Sequence, residues 1–371
     1  MATAMRKRNT ILDKPINVHE VIIRSTWQCP AEEHLSQPAG GVFYCSAYVW
    51  EARVLMRGGI PMRLFEKTMA AMQAIEDGFR RIPPETIPEK CTGCGLCVKV
   101  CPAKIFVLRD KKSVISADPT SFCIKCGHCL AVCPAGAFVD PEHRDVEPQR
   151  IEKKRLPKPE ALQMLLSARR SVRNYRPEPV DREVIEKIIE AGRYTATGGN
   201  RQDIFYTVID SAEKIQALED MVTPYLNKIL SLSENPLFLM FMYLTGNLEL
   251  IAVPKMYAPI VREFGELKKQ GIDRFCYHAP AMILVHTKKM DQPAGFGCAA
   301  ALYSCSLMAE LLGVGCCFNG FVHVATNYNR KIKDWLGIPR NHQCHGAMTL
   351  GYPAIKFSRI PPRDPAKIDW R

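Results

Sequence analysis

The chain lacks several things that would place it quickly. Met1 to Pro15 holds no apolar core segment of the kind that directs secretion. The sixteen cysteines are therefore expected to stay reduced in a cytoplasm rather than to pair as disulfides. Long hydrophobic runs are scarce as well. The longest weakly charged stretch, Ala294 to Val324, carries Glu310 as its one formal charge. Its glycines, Gly295, Gly297, Gly313, Gly315 and Gly320, and its many Ala, Ser and Cys suit a tightly packed core helix followed by a turn, so no membrane span is expected. There is no H-E-x-x-H, no P-loop and no G-x-S-x-G, which removes zincin, nucleotide-phosphate and serine-hydrolase chemistry of those types. The Gly313-x-Gly315 pair is not a dinucleotide fingerprint, because the next glycine, Gly320, is misplaced and no acidic partner follows at the required distance.

What is present bounds the class. At 371 residues the chain exceeds one ordinary core, which runs to about 250–300 residues. With 47% hydrophobic and 24% charged residues it can fold and is no disordered tail. Fifty Lys and Arg against 38 Asp and Glu give +12, a balance suited to acidic partners such as phosphorylated ligands or acidic electron carriers. Nothing in the sequence calls for nucleic acid.

Punctuation divides the chain into four parts. Residues 1–85 form an N-terminal extension of unclear role, with one amphipathic helix expected near Leu64 to Phe79 and no internal repeat. Residues 86–142 contain half of the cysteines, between Ile82-Pro83-Pro84 and a Pro-punctuated, basic linker over 143–160. Residues 161–371 show a mixed pattern. A helix is expected from Pro159 to Ser171, and another from an Asp181 N-cap to a Gly192 stop. Buried strands are expected at Ile204 to Ile209, Met282 to His286 and Ala347 to Leu350, with a long helix at Ala299 to Leu312. The class is α+β, one sheet covered by helices.

Cys91, Cys94, Cys97 and Cys101-Pro102 make C-x2-C-x2-C-x3-C-P, and Cys123, Cys126, Cys129 and Cys133-Pro134 repeat it. Three thiolates at that spacing hold three corners of a cubane while the fourth reaches the other cluster. One [4Fe–4S] cluster then takes Cys91, Cys94, Cys97 and Cys133, and the second takes Cys101, Cys123, Cys126 and Cys129. Structural zinc is the alternative, but it needs four ligands, usually as two pairs, and has no use for a third and fourth cysteine twice over. The stretch Pro88 to Val139 thus resembles a bacterial two-cluster ferredoxin domain, which implies one-electron transfer at low potential.

Beyond the linker, Arg169-Arg170-Ser171-Val172-Arg173-Asn174-Tyr175 gathers three guanidinium groups and a hydroxyl at a helix end. Such a set binds a phosphate dianion, although a solvated basic face at a helix C-terminus has the same composition. Further matching pieces are Thr195 to Gln202, Ala279-Pro280 with the strand after it, Leu312 to Gly320, Leu336-Gly337-Ile338-Pro339 and Leu350-Gly351-Tyr352-Pro353. In this order the stretch from Leu162 onward resembles the FMN-dependent nitroreductase family. The resemblance implies a nitroreductase-like α+β sandwich following the ferredoxin-like dicluster domain, and a homodimer with FMN sites at the subunit interface. It also implies that Arg169, Arg170, Ser171 and Arg173 hold the FMN phosphate and ribityl chain, that Asn200 hydrogen-bonds the ring, that the Phe318-Asn319-Gly320 turn offers N–H groups near N5, and that Arg359 adds a phosphate contact. Ala196-Thr197 stands where the family usually has Pro-Ser, and Asp203 where it has Pro.

The expected protein is an FMN-dependent oxidoreductase. Two [4Fe–4S] clusters carry electrons from a low-potential donor such as ferredoxin to FMN, which reduces an organic acceptor: a nitroaromatic, a quinone or an activated enone. An electron-transfer adaptor between protein partners, or a flavoenzyme running in the oxidase direction toward ferredoxin, uses the same parts. No catalytic acid can be named from sequence.

Overall fold

Two nearly superimposable turns open the structure. The computed structural model describes residues 81–116, 123–246, 249–289 and 292–371, all within the unit Met72–Arg371. The expected helix near Leu64 to Phe79 lies outside the described residues. In the cysteine block, helix α1 (Leu96–Val100) starts after Gly95 at φ 74°, and α2 (His128–Val132) starts after Gly127 at φ 72°. A left-handed residue at each entry turns the chain sharply enough for consecutive cysteines to face one centre, and glycine adopts it without steric cost. Short antiparallel pairs close the block: β1 (Glu85–Thr86) with β4 (Phe138–Val139), and β2 (Phe106–Arg109) with β3 (Lys112–Ile115). Its small core holds Ile105, Phe106 and Phe138, the two rings meeting edge-on at 5.1 Å.

The larger part is a four-stranded antiparallel sheet of order β5-β6-β8-β7: β5 Phe205–Ile209, β6 Ala281–Lys288, β7 Gly315–Phe318 and β8 His342–Gly351. Alternation on β6 sends Met282 and Leu284 to one face and Ala281, Ile283 and Val285 to the other. The first face is covered by α5 (Ala212–Glu234), α7 (Glu249–Lys269), α9 (Gly320–Tyr328) and α10 (Arg330–Trp335). The second is covered by α4 (Arg182–Arg193) and α8 (Gln292–Leu311). Both faces are therefore buried, which is why β6 reads as an apolar run. Helices α3 (Pro159–Ala168) and α6 (Pro236–Leu244) complete the set.

Several expectations need correction. Gly192 does not stop α4. It sits within the last turn, where a Cβ would lie 2.6 Å from the Tyr206 hydroxyl and 2.8 Å from Cys305 Sγ, so the glycine permits close packing on α8. Asp181 is the N-cap of α4 but makes no side-chain capping bond. The first helix ends at Ala168, before the Arg run. The glycine-rich segment after α8 opens with the expected turn at Leu312 and Gly313, Gly313 at φ 73°, and then continues as a strand, β7. Helix α8 begins earlier than expected and is nearly chargeless for two reasons. Cys298, Leu302, Cys305 and Ala309 are buried against the sheet, while Phe296 and Leu311 on its other sides remain exposed and apolar. Among the described residues no helix is long and apolar enough to cross a membrane.

Candidate functional site

The eight cysteines of the two runs fall into two groups of four. Cys91, Cys94, Cys97 and Cys133 line one cavity with Gly93, Gly95 and Ser113. Cys101, Cys123, Cys126 and Cys129 line another with Pro102, Ile105 and Gly127. Each run thus lends its fourth cysteine to the opposite cavity. Backbone amides already aim at the sulfurs: Ser113 to Cys91 at 3.5 Å, Ile105 to Cys101 at 3.3 Å, Lys125 to Cys123 at 3.3 Å and Ala137 to Cys133 at 3.2 Å. Such donors offset the negative charge of thiolate-bound clusters. Burial pushes the Cys129 thiol up to about 12. Among the described residues no three His, Cys, Asp or Glu are placed to hold a metal ion directly.

The Arg run lies along β7. Ser171 forms a parallel bridge with Cys316, and the Val172 N–H donates to the Cys316 carbonyl at 2.9 Å. Because β7 is an edge strand, the run adds to its open side and is fixed there. The three arginines then part company. Arg170 turns back on α3, donating to the carbonyls of Ala168 and Ser167, so it caps that helix rather than facing a ligand. Arg169 lies over the Tyr303 ring at 5.9 Å, with Nε and Nη1 buried and unpartnered. Arg173 stands over Tyr277 at 5.8 Å. A buried guanidinium without an acceptor is costly, and an anion is the natural remedy. Arg169 therefore suits an anionic group, and Ser171 and Arg173 lie in the same run along β7. Cys316 and Cys317 lie beneath them, the first pushed up to about 11 by burial, the second also pushed up by burial against the pull of Arg173. Both are neutral thiols at ordinary pH.

The remaining expected residues are placed less simply. Asn319 spends its side chain on the fold: Nδ2 donates to the Phe275 carbonyl at 2.7 Å, and Oδ1 accepts from Val322 N–H as the cap of α9. Its own N–H donates to Ala347 at 2.8 Å, so that amide is not free for a ligand. Gly320 opens α9, and its N–H is among those a helix leaves without an internal partner. Phe318 ends β7 and is part exposed. Arg359 lies exposed in the segment beyond β8 and makes no hydrogen bond or ion pair; the structure does not bind it to the Arg169 group.

Asn200 stands at a junction. Its Nδ2 donates to the Lys125 carbonyl at 2.5 Å, between Cys123 and Cys126, and its own carbonyl accepts from Arg81 Nη1 at 2.6 Å. Arg81 Nη2 also donates to the Arg201 carbonyl at 3.1 Å, while the Arg81 backbone bridges Cys123. Sequence reasoning missed Arg81, which lies in no motif, and Lys125, which holds an unspecified position within the second cysteine run. The one local hint is Lys125 as a non-glycine residue in a tight cysteine loop.

Comparison with known proteins follows the same division. The nitroreductase family model matches residues 166–352, just over half of the chain, and the 4Fe-4S dicluster domain model matches residues 90–138. Curated proteins gave no match. Among solved structures, the chain is similar to a nitroreductase with bound FMN from Bacteroides fragilis at 22% identity, covering 56% of this chain and 98% of that one, with a TM-score of 0.41. A nitroreductase with bound FMN from Desulfitobacterium hafniense follows at 21% identity, with 56% and 96% covered and a TM-score of 0.41. A BluB-like flavoprotein from Clostridium difficile shows 22% identity, with 55% and 94% covered and a TM-score of 0.41.

Proposed function

Because this chain belongs to the nitroreductase family and carries a 4Fe–4S dicluster domain, which makes it an iron–sulfur flavoprotein oxidoreductase, we propose a specific route for its electrons. A low-potential donor such as ferredoxin delivers them to two [4Fe–4S] clusters, held by Cys91, Cys94, Cys97 and Cys133 and by Cys101, Cys123, Cys126 and Cys129. From there they pass to FMN and on to an organic acceptor, a nitroaromatic, quinone or activated enone. The observation that carries this reading is the junction itself: the loop between Cys123 and Cys126 is hydrogen-bonded to Asn200, in the loop assigned to the flavin.

When bound, the clusters would supply single electrons, and FMN would collect two and release them as hydride. The protein's part is placement and charge. Arg169, Ser171 and Arg173 hold the phosphate, and their attachment to β7 fixes that anchor relative to the sheet. Exposed apolar side chains on α8 and α6, among them Phe296, Phe241 and Tyr243, support assembly as a homodimer. The cytoplasm suits the fourteen free cysteines found among the described residues. The basic linker side chains Arg150, Lys153, Lys154, Arg155 and Lys158 suit an acidic carrier.

The test is anaerobic stopped-flow bleaching of the flavin. Reduced ferredoxin is expected to reduce it faster than NADH or NADPH, and that advantage is expected to shrink as salt screens the basic face. Rapid reduction by a nicotinamide, unaffected by loss of the clusters, would remove the clusters from the route.

A further inference from the structure

The two cysteine cavities are not equivalent in their surroundings. The one lined by Cys101, Cys123, Cys126 and Cys129, here the inner site, is attached to the flavin part of the chain by three separate links. Arg81 pairs its backbone with Cys123 and sends its guanidinium to the carbonyls of Asn200 and Arg201; Asn200 returns a side-chain bond to Lys125. Both loops are held in left-handed conformations that non-glycine residues seldom adopt, Lys125 at φ 53° and Asn200 at φ 52°. Conformations of that kind persist where surrounding bonds over-determine them. Among the described residues the other cavity, the outer site, has no such tie. Its Cys94 is exposed, whereas every cysteine of the inner site is at least half-buried. Lys111 packs its backbone against Gly93 at its rim, and Lys112 is bonded to the Pro88 and Cys91 carbonyls, each at 2.8 Å, so positive charge stands beside the exposed edge.

We propose that the inner site is the electron exit toward the flavin, that the outer site is the entry from the external donor, and that Arg81 is the positioning residue that holds the exit in register. This rests on the functional reading above and adds direction to it. An electron leaves the one-electron donor, enters at the outer site, passes to the inner site and from there to the flavin. Two such passages, with two protons from solvent, reduce one acceptor by two electrons.

The experiment uses the full chain, assembled anaerobically with iron, sulfide and FMN, with reduced ferredoxin as the probe. Cluster reduction is followed by electron paramagnetic resonance on freeze-quenched samples, and flavin reduction by absorbance. In Cys126→Ser the surviving outer cluster is expected to reduce at the wild-type rate while flavin bleaching is lost. In Cys94→Ser the reduction of the surviving inner cluster and of the flavin are expected to slow together. The opposite pattern, with Cys94→Ser alone uncoupling the flavin, overturns the order of the sites but keeps the clusters on the route. Unchanged flavin bleaching in both variants overturns the route as well. Arg81→Gln leaves all eight ligands in place and serves if a cysteine variant does not fold. With both cluster signals intact, flavin reduction is expected to slow roughly tenfold, in line with the loss of charge-assisted bonds. Amide hydrogen exchange is expected to rise at 198–202 and 124–127 together. Exchange that stays unchanged in both segments, with an unchanged rate, removes Arg81 from the role.

Discussion

The Val172 N–H donates to the carbonyl of Cys316 at 2.9 Å, and one residue earlier on the strand, Gly315 lies flat against the Val172 side chain. This contact seats the Arg run on the sheet. A Cβ at Gly315 would come within 2.6 Å of Val172 Cγ2 and 2.8 Å of its Cβ, with no flexible chain end to give way. Gly315→Ala is therefore expected to cost about 1–3 kcal/mol of stability by overpacking. It should also weaken FMN retention, because Ser171 and Arg173 flank the displaced residue. Denaturant titration and flavin fluorescence measure the two effects.

Arg169 gives a prediction with two opposite signs. Replacing it by Met removes a partly buried charge whose Nε and Nη1 lack partners, so the flavin-free protein should be no less stable than wild type. FMN affinity should nevertheless fall by roughly ten- to a hundredfold, the equivalent of a charge-assisted bond. A marked loss of stability in the flavin-free variant, with unchanged affinity, would assign Arg169 to the fold alone.

Metal content tests the cavities directly. Anaerobic preparation should yield about eight iron and eight acid-labile sulfide per chain. Cys101→Ala removes a ligand from the cavity that also holds Cys123, Cys126 and Cys129, and should leave about four of each. Zinc in place of iron would contradict the assignment.

Glu219 on α5 predicts a pH dependence. Its carboxylate is buried at 1% exposure, with the Asp273 carboxylate near and Lys268 Nζ at 3.1 Å. Burial first, and Asp273 second, raise its pKa from 4.5 to about 7. Between those values the folded protein keeps a proton that the unfolded chain has lost, so stability should fall as pH rises through the window, by on the order of 3 kcal/mol. Glu219→Gln should flatten that slope. Denaturant unfolding at the two ends of the window, for both proteins, checks the sign.

Assembly is read from mass. Sedimentation of the FMN-loaded protein should give a particle near twice 41.8 kDa. A stable monomer that keeps its flavin would oppose a shared interface.

The features legible in the sequence are those encoded over short distances. Three cysteines at x2 spacing with a fourth at x3 before proline specify a turn and a crossed pairing, and the structure gathers the same four and four. The apolar runs that became β6 and β8 were legible because burial on both faces leaves no polar alternation. Gly192 reads differently for a related reason: a glycine required by a neighbouring helix looks, in sequence, the same as one that ends its own.

The local pattern likewise could not divide the work among the three arginines of the 169–173 run. Arg170 was drawn to the carbonyls of the helix before it, while Arg169 was left buried and unpaired. Nor could it reveal that Asn319 is consumed by Phe275, 44 residues away. The junction is the extreme case. Asn200 meets Lys125 across 75 residues and Arg81 across 119. Contacts at such separations carry no periodicity or spacing, so the sequence by itself determined the grouping of the cysteines and the classes of its elements. Only the packing of one part of the chain on another decided which cysteine cavity lies against the Asn200 loop.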